Sequence, residues 1–181
     1  MKIIETEIPE VKIFSPIRFS DDRGYFSETF IHKEFLSICG DYHFVQDNES
    51  FSHKNVLRGL HYQLNNPQGK LVRAVMGEVF DVAVDIRRSS PTFGKYVSAI
   101  LNQENSNILW IPPGFAHGFL ALKDFSKIEY KVTDYYCKED DFGINYHDPS
   151  INIKLFIDNT NFILSDKDKE YPYLHDAEVF D

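Results

Sequence analysis

Ten short runs of strand-forming residues follow one another along most of this chain, with turn residues between them and little helical period. They cover residues 11–17, 25–30, 44–50, 56–63, 71–76, 78–87, 95–101, 107–111, 118–122 and 127–136. Turn clusters at 21–24, 65–69, 88–94 and 124–126 punctuate them. The clearest alternation is in 78–87, where Phe80, Val82, Val84 and Ile86 take one face. Val79, Asp81, Ala83, Asp85 and Arg87 take the other. Helix is expected only at 32–38, stopped by Gly40, and after an N-cap at Ser165 followed by Asp166 and the charged run 167–170. This succession predicts an all-β fold, a sandwich or barrel of jelly-roll type with a few short helices. Ten Tyr and sixteen Phe suit such half-buried pleated surfaces.

A chain of 181 residues is expected to form a single domain spanning 1–181. Its net charge of −9 argues against nucleic acid and anionic membrane as partners. An anionic ligand would need Arg and Lys side chains converging on one spot. Cys39 and Cys137 form no CxxC motif and read as reduced thiols of a cytoplasmic protein. The start, MKIIETEIPE, has no apolar signal-peptide core, and no apolar run approaches the roughly 20 residues of a membrane span. The seven histidines, His32, His43, His53, His61, His117, His147 and His175, form no HxH or HExxH, so no catalytic metal is expected.

The densest chemistry lies in NVLRGLHYQ and the lysine that follows, which bring Arg58, His61, Gln63 and Lys70 within about one strand and one turn. A histidine can take a proton near pH 7, and a neighbouring lysine can stabilise an oxyanion as it forms. A lone histidine on a strand is more often structural. Strict alternation groups His61 with Leu57, Gly59 and Gln63 and sends Arg58 to the other face. Both reach one pocket only if Gly59 marks a bulge or the strand ends there. PPGFAHG offers His117 as a second pocket residue or a structural hydrogen-bonder. The strand at 127–136 carries Tyr130, Tyr135 and Tyr136, any of which could donate a proton or simply pack. Gln46, Asn48 and Ser50 make a polar line suited to a sugar or base, or to solvent. The DDRG turn followed by Phe26 and Glu28 could offer Arg23 to a phosphate and a carboxylate to a base or ribose.

Together these segments resemble the dTDP-4-dehydrorhamnose 3,5-epimerase family. DDRGYFSE, QDNESFS, NVLRGLHYQ, GKLVRAVMGEVFDVAVDIRRSSPTFGKY, LWIPPGFAHGF, YKVTDYY, GINYHDP and LSDKD occur in the family's order and cover nearly the whole chain. The resemblance implies a cupin jelly roll, a homodimer, and an isomerase needing no metal or other cofactor. Its substrate would be a dTDP-linked 4-keto-deoxysugar, epimerised at C3 and C5 on the way to L-rhamnose. It also implies roles: His61 as base, Asp168 as the carboxylate that orients it, Tyr130 as acid on the opposite ring face, and Lys70 beside the sugar. Arg23, Phe26, Glu28, Gln46, Asp47, Asn48, Arg58, His117, Tyr136, Asp141 and Lys167 match ligand-contacting positions, some N-terminal ones serving the partner subunit. Asp141 stands where the family commonly has Glu, and Tyr96 and Tyr146 where Trp is common.

The chemistry agrees with that set. A C4 ketone acidifies the hydrogens at C3 and C5. Inversion needs a base, an acid across the ring, and a cation at the enolate oxygen. Competing readings are an epimerase of C3 or C5 alone, a non-catalytic sugar-binding cupin, and a metal-dependent cupin oxygenase or isomerase.

Overall fold

The computed structural model describes residues 1–157 and 161–181. The strands are β1 (Lys2–Glu5), β2 (Lys12–Ser15), β3 (Arg18–Asp21), β4 (Gly24–Ser27), β5 (Gln46–Ser52), β6 (Leu57–Gln63) and β7 (Lys70–Met76). They continue with β8 (Glu78–Asp85), β9 (Tyr96–Asn102), β10 (Ile108–Ile111), β11 (Phe115–Ala121), β12 (Ser126–Val132) and β13 (Asp141–Gly143). Three short helices join them: α1 (His32–Cys39), α2 (Lys154–Ile157) and α3 (Asp166–Glu170).

Two antiparallel sheets face each other, one ordered β1-β2-β10-β7-β12-β5 and the other β13-β6-β11-β8-β9. The neighbours are mostly non-consecutive in sequence, as a jelly roll requires. Between the sheets lies a core built on Val72, Val79, Ala83, Leu109, Phe115 and Ile128. The outer face of the five-stranded sheet is buried too. Val82, Val84, Ile86 and Leu120 pack there against Ile144, Ile151, Phe156, Leu174 and Ala177 of the C-terminal segment. Both faces of β8 are therefore buried, which its alternation alone did not reveal. Outside the six-stranded sheet, α1 sets Phe35 edge-on against Trp110 at 4.9 Å. This helix ends as expected, with Gly40 at φ 97° donating its N–H to the Leu36 carbonyl.

The expected strands are all present, with shifted ends. The run at 127–136 stops at Val132, because residues 133–137 turn away toward β13. The run at 118–122 begins earlier, at Phe115, just after Gly114 at φ 94°. β1, β3 and β13 were not anticipated. They are short, three or four residues each, and β3 is largely polar. β3 and β4 form a hairpin that belongs to neither large sheet. Its Phe19, Tyr25 and Phe26 are exposed.

Candidate active site

A cavity of about 660 Å³ is lined by strands of both large sheets. Among its lining residues, β6 contributes Arg58, His61 and Gln63, β7 contributes Lys70, β11 contributes His117, and β12 contributes Tyr130. Gln46, Asn48 and Ser50 line it from β5, Asp141 from β13, and Lys167 and Asp168 from α3. Tyr136 stands at the rim.

Arg58 and His61 share this cavity because β6 carries a bulge. His117 pairs with His61 and Phe119 with Arg58, so two residues of β6 stand opposite one of β11. Gly59 makes this possible, at φ 125° and in backbone contact with Gly118. Arg58 donates to the Ser52 hydroxyl at 3.2 Å and to the Phe51 carbonyl at 3.1 Å, leaving its exposed guanidinium at the cavity edge.

His61 Nε2 lies 2.6 Å from Asp168 Oδ1. The carboxylate is buried, at 5% exposed, while the imidazole is 36% exposed toward the cavity. The predicted cap at Ser165 forms and accepts the Asp168 N–H at 3.1 Å, which helps set where this carboxylate points. With Nε2 on the carboxylate, the favoured tautomer carries its proton there and leaves the Nδ1 lone pair free.

Lys70 is buried and donates to the His61 carbonyl at 3.3 Å. Burial pulls its ammonium down to about 8, against the opposing pull of Asp141 and Asp81. Burial lowers the His117 imidazole as well, while Asp81, at 2.9 Å, favours its charged form. Burial raises the Tyr130 phenol, with Ser50 and Arg58 acting in the opposite direction. Tyr130 therefore holds its proton at neutral pH and remains a donor.

At the mouth, Asp141 accepts from Lys167 at 2.7 Å and from the Tyr136 hydroxyl at 3.0 Å. Below it, Gln63 donates to the Asn66 and Tyr135 carbonyls and accepts the Cys137 N–H, tying two rim loops together. Asp140 accepts the backbone N–H groups of Leu64, Asn65 and Asn66, which fixes one of those loops.

Four expected contact residues do not line this cavity. Arg23 pairs with Asp21 at the tip of the β3–β4 hairpin, Phe26 is exposed on that hairpin, and Glu28 follows it, also exposed. Asp47 points to the opposite face of β5 from Gln46 and Asn48 and pairs with Lys131 at 2.9 Å. Two relevant residues were missed. Asp81 shares its strand face with Val79 and Ala83, which are fully buried, and a buried carboxylate demands a partner. Tyr171, which also lines the cavity, carried no such signal. Among the described residues, no three His, Cys, Asp or Glu side chains cluster as a metal site would require.

Residues 5–176 match the family model described as dTDP-4-dehydrorhamnose 3,5-epimerase. A protein of that name from Shigella flexneri is 54% identical, with 99% of each chain covered. The Legionella pneumophila dTDP-6-deoxy-D-glucose-3,5-epimerase in complex with dTDP-4-keto-L-rhamnose superposes with a TM-score of 0.93 at 48% identity, covering 98% of this chain and 94% of that one. A 3'-monoepimerase from Streptomyces bikiniensis in complex with dTDP-quinovose gives a TM-score of 0.87 at 30% identity, over 94% and 87% of the two chains.

Proposed function

The chain belongs to the dTDP-4-dehydrorhamnose 3,5-epimerase family, and on that premise we propose that it inverts C3 and C5 of dTDP-4-keto-6-deoxyglucose to give dTDP-4-keto-L-rhamnose. The observation that carries this reading is the 2.6 Å His61–Asp168 pair in one cavity with Lys70 and Tyr130. His61 Nδ1 takes the proton from C3 or C5. The C–H electron pair moves into the ring, and the C4 carbonyl becomes an enolate. The Lys70 ammonium stabilises that oxygen, and Asp168 stabilises the imidazolium. The Tyr130 hydroxyl then delivers a proton to the same carbon from the opposite face and the C4 carbonyl re-forms; the imidazolium gives its proton to solvent and the phenolate takes one back, which resets both groups for the second carbon. General acid–base help is worth roughly 10²–10⁴-fold and the enolate donor on the order of 10²–10³.

Arg58 and Lys167 supply the cationic spot that an acidic protein needs to hold a diphosphate. Arg23, Phe26 and Glu28 serve the cavity of a second copy in a homodimer. This is supported by a hairpin that pairs with neither large sheet and exposes Phe19, Tyr25 and Phe26. The free thiols of Cys39 and Cys137 suit a reducing cytoplasm. The one-domain reading of residues 1–181 accords with the C-terminal segment packing on the five-stranded sheet.

The test is incubation with dTDP-4-keto-6-deoxyglucose in deuterated water, read by mass spectrometry and NMR. Deuterium should enter at both C3 and C5 of the product. Uptake at C3 alone would replace this reading with the activity named for the Streptomyces relative, and uptake at C5 alone with an epimerase of that carbon. No uptake at either would leave a sugar-binding protein without this chemistry.

A further inference from the structure

In register, Gly143 of β13 stands directly opposite His61 of β6. Cross-strand neighbours on one face put their side chains in contact, so the residue opposite His61 would normally pack against its imidazole. Gly143 has no side chain, and Tyr171 fills the vacancy. A Cβ at position 143 would lie 2.3 Å from Tyr171 Cε2 and 2.4 Å from Cζ. The Tyr171 ring meets the His61 imidazole edge-on, with centroids 5.7 Å apart and planes at 70°. Lys167 sets its ammonium 5.7 Å from the centre of the same ring. The backbone there is fastened as well. Asn145 donates its side-chain amide to the Tyr171 carbonyl at 3.3 Å and its N–H to the Pro172 carbonyl at 2.8 Å.

We propose that Tyr171 is a positioning residue for the His61 base: its ring, seated on the bare backbone of Gly143, braces the imidazole against Asp168. The inference rests on the reading of His61 as the base. Among the described residues the imidazole is held by one hydrogen bond, at Nε2, and a single bond does not fix the plane of a ring. An edge-on aromatic contact limits its rotation, and the free Nδ1 stays aimed at the substrate. The brace is the ring and not the hydroxyl. Tyr171 Oη is buried and has no hydrogen-bond partner among the described residues. Burial and the Asp141 and Asp168 carboxylates also hold that phenol above its ordinary range, so it stays protonated while the enzyme works.

The test uses Tyr171→Phe, Tyr171→Ala, Gly143→Ala and the Gly143→Ala/Tyr171→Ala pair, with His61→Asn as reference. Tyr171→Phe should keep kcat within about threefold of wild type, since the ring remains. Tyr171→Ala should lower kcat by about 10- to 100-fold, the scale of a misplaced reacting group, with KM changed much less. Gly143→Ala should cost kcat in the wild-type background and little in the Tyr171→Ala background, because the added methyl then has no ring to displace. Nitrogen NMR of the imidazole should show one ordered His61 tautomer in wild type and Tyr171→Phe, and averaging in Tyr171→Ala. Circular dichroism and thermal melts confirm which variants are folded. Full kcat in folded Tyr171→Ala beside an inactive His61→Asn would overturn the positioning role and leave the base in place. An active His61→Asn would instead overturn the reading on which this inference rests. Loss in Tyr171→Phe equal to that in Tyr171→Ala would move the role to the hydroxyl and defeat the brace.

Discussion

Gly59 and Gly118 meet backbone to backbone: a Cβ on Gly59 would lie 2.5 Å from Gly118 Cα and 2.8 Å from the His117 carbonyl oxygen. Neither glycine is replaceable, since Gly118 has the Arg58 carbonyl 2.8 Å from where its own Cβ would stand. Gly59→Ala adds backbone strain at φ 125° to the clash. It should destabilise the protein by more than the roughly 1–3 kcal/mol typical of a strained residue. Urea unfolding is the measurement. A shift below about 0.5 kcal/mol would mean that β6 relaxes without its bulge.

The proton-transfer residues should fail differently. His61→Asn should abolish both epimerisation and solvent exchange, because no carbanion forms. Tyr130→Phe should impair product formation yet leave some deuterium exchange, since His61 can remove a proton and return one from solvent. Asp168→Asn should leave the fold intact and lower the rate, by removing the carboxylate 2.6 Å from the imidazole. Deuterium uptake measured beside product for each variant separates the cases. Identical loss of exchange in His61→Asn and Tyr130→Phe would remove this division of labour.

Lys70 links activity and stability to pH. Its ammonium titrates near 8 in the fold and near its ordinary 10.5 when unfolded. Below pH 8 both states are charged, and the fold carries the cost of a buried charge, on the order of 3 kcal/mol. Between 8 and 10.5 the unfolded chain binds the extra proton, so stability rises with pH. Compared with Lys70→Met, the wild type should gain up to about that amount over this window in denaturant titrations. Activity runs the other way, because the enolate needs the charged form. kcat/KM should decline above about pH 8, and Lys70→Arg should abolish that limb. Lys70→Ala should cost on the order of 10²–10³ in kcat.

The anion site can be probed from both signs. Arg58→Ala should raise the Kd for dTDP, with a penalty that shrinks as salt rises. Asp141→Asn should tighten dTDP binding at low salt, since it removes the carboxylate that engages Lys167 at 2.7 Å. Isothermal titration at low and high salt reads both. Unchanged affinity in Arg58→Ala at low salt would remove Arg58 from the site.

Local chemistry was the part of this molecule most legible in its sequence. The Ser165 cap, the Gly40 stop and the polar line of Gln46, Asn48 and Ser50 all follow from patterns within a few residues. The conflict between Arg58 and His61 was visible too, and Gly59 was marked as the place where it had to be resolved. What could not be read were relations between distant segments. Nothing near Gly143 announces that Tyr171 will occupy its missing side chain, and only the family resemblance, no local pattern, implied that the β3–β4 hairpin stands apart from its own cavity. The burial of β8 on both sides had the same origin. Its second face is covered by residues from Ile144 onward, and alternation within one strand carries no information about that cover.

Asp168 lies on α3, after every strand of both sheets. During synthesis, the strands that carry His61, Lys70 and Tyr130 are therefore made before the carboxylate that completes the base. A nascent chain interrupted before α3 would lack Lys167, Asp168 and Tyr171 from the cavity lining, and its base would have no carboxylate behind it. It would also lack Leu174 and Ala177, which help cover the apolar outer face of the five-stranded sheet. Competence and concealment of that face arrive in the same stretch of chain. An incomplete molecule thus lacks the carboxylate behind His61 and, at the same moment, leaves apolar surface of the five-stranded sheet uncovered.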